Sequence, residues 1–191
     1  GYIQSTPLQL CLMTAQIANG GYSIKPKIIV DNNPISYEDA KQSMESQLFF
    51  NKDAEFLEDK KLFKNERNIK IIQEAMFSST NEQYGTSYKS RIDDPKYQFA
   101  GKTGTAQVKR ISKRERELDL ELEQIPYKDR DHALYVAYGP YTNPRYALSI
   151  IIEHGGSGSK AAAPIAKELF KLIIDRHELR NKQSNFERIK I

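Results

Sequence analysis

The residues of this sequence that could do chemistry lie closest together between positions 97 and 108, where polar residues interrupt an ordinary strand pattern. Strand alternation places Thr103 and Thr105 on one face and Lys102 with Gly104 on the other. Glycine inside a strand often marks a place where a ligand or another backbone comes close. An ammonium and two hydroxyls beside such a glycine suit an anionic, extended ligand that pairs with the strand edge.

Three known motifs share the letters Gly101-Lys102-Thr103-Gly104-Thr105. A phosphate-binding P-loop needs a glycine five residues before the Gly-Lys-Thr, and position 96 is Lys96. The phosphorylated loop of P-type cation pumps needs an aspartate where this chain has Gly101. The third motif is the Lys-Thr-Gly strand of serine β-lactamases and penicillin-binding proteins. Only the third motif fits these residues, and the flanking sequence must decide whether the match is more than chance.

Length, charge and cysteine count limit the possible domain number, partners and disulfides of this chain. The chain has 191 residues, 39% of them hydrophobic, which suffices for one globular domain. A net charge of +4 with dispersed lysines favours a solvated surface over a nucleic-acid footprint, so we expect no nucleic-acid partner. The single Cys11 excludes an internal disulfide pair. The opening Gly1-Tyr2-Ile3-Gln4 is not a natural start, so we expect a piece of a longer protein.

The N-terminal third begins with a well-signalled helix. Thr6-Pro7-Leu8-Gln9 is a capping box with proline at the first helical position, and Gly20-Gly21 ends the helix. The helix would bury one face, made of Leu8, Cys11, Leu12, Ala15 and Ala18. Ser23 to Val30 predicts an edge strand, because Pro26 interrupts it. Residues 31–65 are polar and are interpreted as a peripheral insertion.

The middle of the chain leads into and out of the central strand. A second helix is predicted from Glu66 to Ser78, with Ile69, Ile72 and Met76 on one face. The loop from Asn81 to Asp94 contains Gly85 and Thr86. It is either a cleft wall or, more simply, an ordinary connection. After the strand, residues 109–131 are highly charged and predict a second peripheral insertion.

The C-terminal third predicts a hairpin followed by a helix. Strands are expected at Ala133 to Tyr138 and Tyr146 to Glu153, with a turn between them. A helix is expected from Ala161 to Asp175. Its core face would consist of Ile165, Leu169, Leu172 and Ile173. Residues 177–191 read as a polar tail that frays. The elements together predict an α+β fold with an antiparallel sheet packed with helices.

Short matches in the right order along residues 1–175 resemble the transpeptidase domain of class B penicillin-binding proteins, in the branch that serves the rod-shape elongation machinery. They cover the C-terminal half of that domain, here residues 1–176. The matching runs are Gly1-Tyr2, Thr6-Pro7-Leu8-Gln9, Ala18-Asn19-Gly20-Gly21, Gly101 to Val108, Arg130 to Leu134, Ala137 to Tyr141, Glu153-His154-Gly155-Gly156 and Ala161-Ala162-Ala163-Pro164.

The resemblance implies an enzyme that cross-links peptidoglycan stem peptides by serine acyl transfer and is acylated by β-lactams. Lys102 would supply a cation near the other catalytic motifs, and Thr103 and Thr105 would bind the substrate carboxylate. The backbone N–H of Thr105 would be one arm of the oxyanion hole, while Gly104 would keep the strand surface open. No cofactor is implied. The partners implied are stem peptides, β-lactams and membrane proteins of the elongation machinery.

The family's other two motifs, Ser-x-x-Lys with the nucleophile and Ser-x-Asn, should precede the Lys-Thr-Gly strand. Ser157-Gly158-Ser159-Lys160 follows it, and Ser79-Thr80-Asn81 is at chance frequency, so both are interpreted as decoys. We therefore expect the nucleophile outside this segment, which alone should be inactive. The whole protein would lie at the periplasmic face of the bacterial inner membrane, anchored by a segment not present here.

One alternative function stays open, and a metal site is not expected. The chain could be a noncatalytic module that keeps this fold to bind a peptide or a partner protein, although an intact Lys102 to Thr105 argues against decay of the site. His132, His154 and His177 lack metal-ligand spacing, so we expect no metal site. Glu153 and His154 lie near the expected cleft floor but are interpreted as structural residues.

Overall fold

The computed structural model describes residues 4–24, 26, 61–109 and 120–189, and of residues 181–189 only the helical backbone. Most of the predicted insertion at 31–65, the middle of the one at 109–131 and most of the predicted Ser23 to Val30 strand lie outside these ranges. None of the helices in the described ranges is both long and apolar enough to cross a membrane.

Helix α1 spans Pro7–Ala18 and begins with the predicted capping box. The Thr6 N–H donates to the Gln9 side chain at 2.8 Å, and the Gln9 N–H donates back to the Thr6 hydroxyl at 3.2 Å. These bonds satisfy two amides at a helix end. The chain leaves the helix through Gly20 and Gly21 at φ of +89° and +94°, a conformation that glycine adopts without strain.

The central sheet has three antiparallel strands in the order β1-β2-β3. They are β1 (Ala100–Ala106), β2 (His132–Gly139) and β3 (Tyr146–Ile152), so the predicted hairpin is confirmed. Helix α2 spans Glu66–Asn81, and helix α3 spans Ala163–Ile189 after a π-helical turn at Gly158–Ala162. Single 3₁₀ turns occur at Tyr88–Ser90, Leu122–Gln124 and Tyr127–Asp129. The predicted α+β class is confirmed.

Helices cover both faces of the sheet. On one face, α3 and the π turn pack on Phe99, Tyr135 and Ala137, and Phe170 of α3 stacks on Phe99 with ring centroids 4.9 Å apart. On the other face, Ile17 of α1 and Met76 of α2 pack on alternate strand residues, Ala100 and Tyr138. Successive strand side chains thus enter different halves of the core, as the period of a strand requires.

The prediction of which residues of α3 are buried was wrong. Ile165 and Leu172 are 41% and 60% exposed, Leu169 is also exposed, and Ile173 is half-buried. The fully buried residues recur instead every fourth position: Ala162, Ala166, Phe170 and Ile174. The reason is steric, because the sheet beneath presents the large rings of Phe99 and Tyr135, and alanines let the helix backbone approach them.

Two other details also differ from the prediction. Leu8 of α1 is 50% exposed, and the buried positions are Thr14 and Ile17, with the Thr14 hydroxyl donating to the Leu10 carbonyl at 2.7 Å. Because of this bond, the buried threonine hydroxyl is not left without a hydrogen-bond partner. Helix α3 does not end at Asp175 but continues to Ile189.

Candidate active site

Strand β1 carries the predicted site residues in the predicted alternation. Thr103 and Thr105 lie opposite Tyr135 and Ala133, on the face covered by α3, whereas Lys102 lies opposite Val136 on the other face. Gly101 is buried because the Tyr135 ring crosses it, and a Cβ on Gly101 would lie 2.6 Å from the phenol carbon Cζ. The glycine inside the motif that is sterically obligatory is therefore Gly101, beneath a neighbouring ring.

The outer edge of β1 is divided into two parts by α2. In an antiparallel strand, the N–H and C=O of one residue point to the same edge, and residues two apart share that edge. On the edge away from β2, the Asn81 amide donates to the Phe99 carbonyl at 2.9 Å, and the Thr80 hydroxyl oxygen lies 3.4 Å from the Gly101 carbonyl oxygen. The next positions on this edge are the backbone groups of Thr103 and Thr105, which meet no other backbone within the described residues.

Lys102 bends along this edge. Its side chain is exposed, and its ammonium donates to the Thr103 carbonyl at 2.9 Å and to the Thr103 hydroxyl oxygen at 3.3 Å. The structure therefore brings Lys102 and Thr103 together. Thr105 is also exposed, and its N–H points to the same open edge by strand alternation. A cation, hydroxyls and outward backbone amides can together hold a carboxylate or an oxyanion.

The loop after α2 packs closely against the end of that helix. A Cβ on Gly85 would lie 2.5 Å from the Ser78 carbonyl oxygen, so glycine permits the close approach. Ser87 is 1% exposed, and both its N–H and its hydroxyl donate to the Ser79 carbonyl at 3.0 Å. Between them, Thr86 is exposed and its hydroxyl oxygen lies 3.3 Å from that of Thr103. The loop is thus a wall beside β1, with Thr86 facing Thr103.

A buried group of hydroxyls fixes this wall to the sheet. The Tyr135 hydroxyl lies 3.0 Å from the Ser87 hydroxyl and 2.9 Å from the Thr80 hydroxyl. Since Ser87 donates its own proton to the Ser79 carbonyl, Tyr135 must donate to Ser87, and Thr80 can then donate to Tyr135. Burial raises the pKa of the Tyr135 phenol, against the effect of its two hydrogen bonds, so the phenol keeps its proton at neutral pH.

The decoy motifs occupy structural positions. Ser79 contacts Thr86, Thr80 contacts Tyr135, and the Asn81 amide joins the Phe77 and Phe99 carbonyls. Ser157 precedes the π turn, where its hydroxyl lies 3.0 Å from that of Ser159. In the described part of the chain, Ser157 makes no hydrogen bond with Lys102, Thr103 or Thr105.

His132 and His154 form a small packing group, whereas the His177 ring packs on Tyr146. The His154 N–H donates to Nδ1 of His132 at 2.9 Å, and Nδ1 of His154 lies 3.0 Å from the Arg130 carbonyl oxygen. His154 has φ of +56°, so this turn is held in the left-handed region by those contacts. Within the described residues, no three His, Cys, Asp or Glu side chains are placed to hold a metal ion.

Sequence reasoning missed the residues that surround the strand. Thr86 was noted only as part of a loop, and Thr80 and Tyr135 only as members of a decoy motif and a strand. Gly85 next to a hydroxyl residue was the available signal, since a glycine before such a residue can let a loop approach a helix end. The pairing of the hydroxyls themselves needs the register of β1 and β2.

Comparisons with known proteins give the family of this chain and its fold. Residues 1–171 match the model of the penicillin binding protein transpeptidase domain. The chain is 30% identical to peptidoglycan D,D-transpeptidase MrdA of Acinetobacter baumannii, over 86% of this chain and 22% of that protein.

Two solved structures have the same fold over 90% of this chain. One is penicillin-binding protein 2 of Pseudomonas aeruginosa in complex with WCK 5153, at 29% identity and a TM-score of 0.59, with 31% of that chain covered. The other is the complex of penicillin-binding protein 2 and MreC from Helicobacter pylori, at 26% identity and a TM-score of 0.58, with 26% covered. This chain therefore spans less than a third of each relative. The chain belongs to the family of penicillin-binding-protein transpeptidase domains.

Proposed function

We propose that this chain is the part of a peptidoglycan D,D-transpeptidase that carries the substrate-binding strand. The observation that carries the proposal is the open half of β1, where the Lys102 ammonium lies on the carbonyl and hydroxyl of Thr103 beside an unpaired strand edge. An extended peptide that ends in a carboxylate has the shape and charge that such an edge accepts. Family membership supports the same substrate class.

Each residue of the strand has a role in this proposal. Thr103 and Thr105 donate hydroxyl protons to the carboxylate of the stem peptide or β-lactam, and Lys102 provides the nearby positive charge. The Thr105 N–H donates to the oxyanion of the tetrahedral intermediate. Gly104 leaves the surface open, since a Cβ there would meet only Leu134 Cβ, at 3.3 Å.

The nucleophilic serine lies, in this proposal, outside residues 1–191. Ser157 is engaged with Ser159 at the start of a helix on the α3 face of the sheet, and Ser79 lies at the end of α2. Residues 1–176 would form the C-terminal part of the transpeptidase domain, with peripheral insertions at 31–65 and 109–131 and a tail at 177–191. The isolated chain should then form no acyl-enzyme.

The same family membership supports a proposal for location and partners. We place the whole protein at the periplasmic face of the inner membrane, held by an anchor in another part of the protein. Its partners would be stem peptides, β-lactams and membrane proteins of the elongation machinery. A relative that forms a complex with MreC supports the last of these.

Labelled penicillin followed by mass spectrometry tests the proposal. The full-length protein should gain a covalent adduct on a serine outside this chain, whereas residues 1–191 alone should gain none. An adduct on Ser157 would overturn the assignment of the nucleophile. A full-length protein that binds stem peptides without any adduct would favour the alternative, a noncatalytic binding module.

A further inference from the structure

The Thr86 hydroxyl lies between two others, next to the candidate binding strand. Its oxygen is 3.1 Å from that of Ser79 and 3.3 Å from that of Thr103. Lys102 approaches the same Thr103 oxygen from another side, at 3.3 Å. Thr86 therefore contacts a residue that binds substrate in the proposed function, and it does so from a separate loop.

The hydroxyl protons of Thr86 and Thr103 determine what this contact can do. An ammonium only donates, so the Thr103 oxygen accepts from Lys102 and has one further lone pair and one proton. If Thr103 donates to Thr86, its proton points to the loop. If Thr86 donates to Thr103, both lone pairs of Thr103 are used, and its proton is directed to a third group. A carboxylate at the open edge is an acceptor of that kind.

The position of Thr86 does not depend on a ligand. On one side, Gly85 packs against the last turn of α2, and on the other Ser87 is buried with two bonds to the Ser79 carbonyl. The Tyr135 hydroxyl holds Ser87 from below at 3.0 Å. An exposed hydroxyl on a segment fixed at both ends is preorganised to orient its neighbour.

We propose that Thr86 is a positioning residue for the substrate carboxylate: it donates its proton to Thr103 and thereby directs the Thr103 proton at the ligand. This inference rests on the proposed function, since it needs Thr103 to bind a carboxylate. It predicts selectivity for ligands that carry this group, because a ligand without the negative charge gains little from a directed hydroxyl proton.

The test compares one β-lactam with its methyl ester on the full-length protein. Thr86→Val removes the hydroxyl and keeps the shape, and it should lower the acylation rate constant for the free acid about tenfold, the size of one hydrogen bond to a charged group. The rate constant for the ester should change by less than about twofold. Thr86→Ser, which keeps the hydroxyl, should restore the preference for the acid.

A double-mutant cycle completes the design. If Thr86 acts through Thr103, Thr86→Val should cost nothing more in a Thr103→Val background. An equal loss for acid and ester, or additive losses in the double variant, would overturn the inference while leaving the transpeptidase assignment standing. A wild-type protein that neither compound acylates would overturn the proposed function and this inference with it. Unchanged melting temperatures in the variants exclude a general loss of folding.

Discussion

Strand β1 has two halves that differ in what covers their outer edge. From Phe99 to Gly101 the outward carbonyls are covered by the last turn of α2, where Asn81 donates to the Phe99 carbonyl and Thr80 lies against that of Gly101, and the three residues are buried. From Lys102 to Ala106 the strand is half-buried or exposed, and its outward edge meets no other backbone in the described structure. Open strand edges are costly because they invite association, and proteins usually protect them. The contrast teaches that one half holds the strand in place so that the other can remain open.

The largest effect on acylation is expected from a substitution in the open half of β1. Lys102→Ala in the full-length protein should lower the rate of acylation by labelled penicillin about 10²–10³-fold, as expected when a preorganised electrostatic group is lost. Its stability to urea should hardly change, because the side chain is exposed. A similar loss of stability and of acylation would show that the open half is structural after all.

The next prediction compares the two glycines of the strand. Gly101→Ala forces a methyl group against the Tyr135 ring and should destabilise the protein by about 2–3 kcal/mol. Gly104→Ala adds a methyl that meets only Leu134 Cβ at 3.3 Å, so it should cost less than about 1 kcal/mol while reducing acylation. Urea unfolding and acylation rates, measured on both variants, decide the matter. Equal stability losses would remove the distinction between the halves.

Tyr135→Phe tests the hydroxyl group beneath the wall. The substitution keeps the ring over Gly101 but leaves the Thr80 and Ser87 hydroxyls with one partner fewer, which should cost about 1–2 kcal/mol. Tyr127→Phe is the matched control, because Tyr127 is 63% exposed and should tolerate the same change. Chemical denaturation of both variants measures the difference. No loss in Tyr135→Phe would mean that the buried bonds do not hold the wall.

The smallest effect is expected at Asp175, which contacts the residues just before the covered half of β1. Asp175 of α3 accepts from the Tyr97 hydroxyl at 2.6 Å and from Lys96 at 2.9 Å, and these contacts hold the pKa of its carboxyl below the usual value. A lowered pKa stabilises the fold above the carboxyl's unfolded pKa, and that stabilisation is lost as the pH falls through the folded value. Asp175→Asn should therefore lower the melting temperature slightly at pH 7 and not at all once Asp175 is protonated. A difference that persists in strong acid would point to packing.

The sequence predicted those elements whose signals are local. The capping box at Thr6 and Gln9, the turn glycines and the alternation of β1 each depend on a few neighbouring residues, and each was confirmed. The phase of α3 was missed because its buried residues include alanines, which carry little hydrophobic weight and are selected by the rings beneath them. Thr86 was not assigned a role because hydroxyl pairing across a loop and a strand depends on three-dimensional placement.

One contact of the π turn makes the C-terminal helix a mechanical support for the strand. A Cβ on Gly158 would overlap the Leu134 carbonyl oxygen and lie 2.9 Å from that of Gly104, so the turn lies directly against the β1–β2 backbone. Helix α3 starts immediately after this turn and extends to Ile189. Any side chain at position 158 would therefore have to displace the backbone of the β1–β2 pair at Gly104, and with it the open half of the strand.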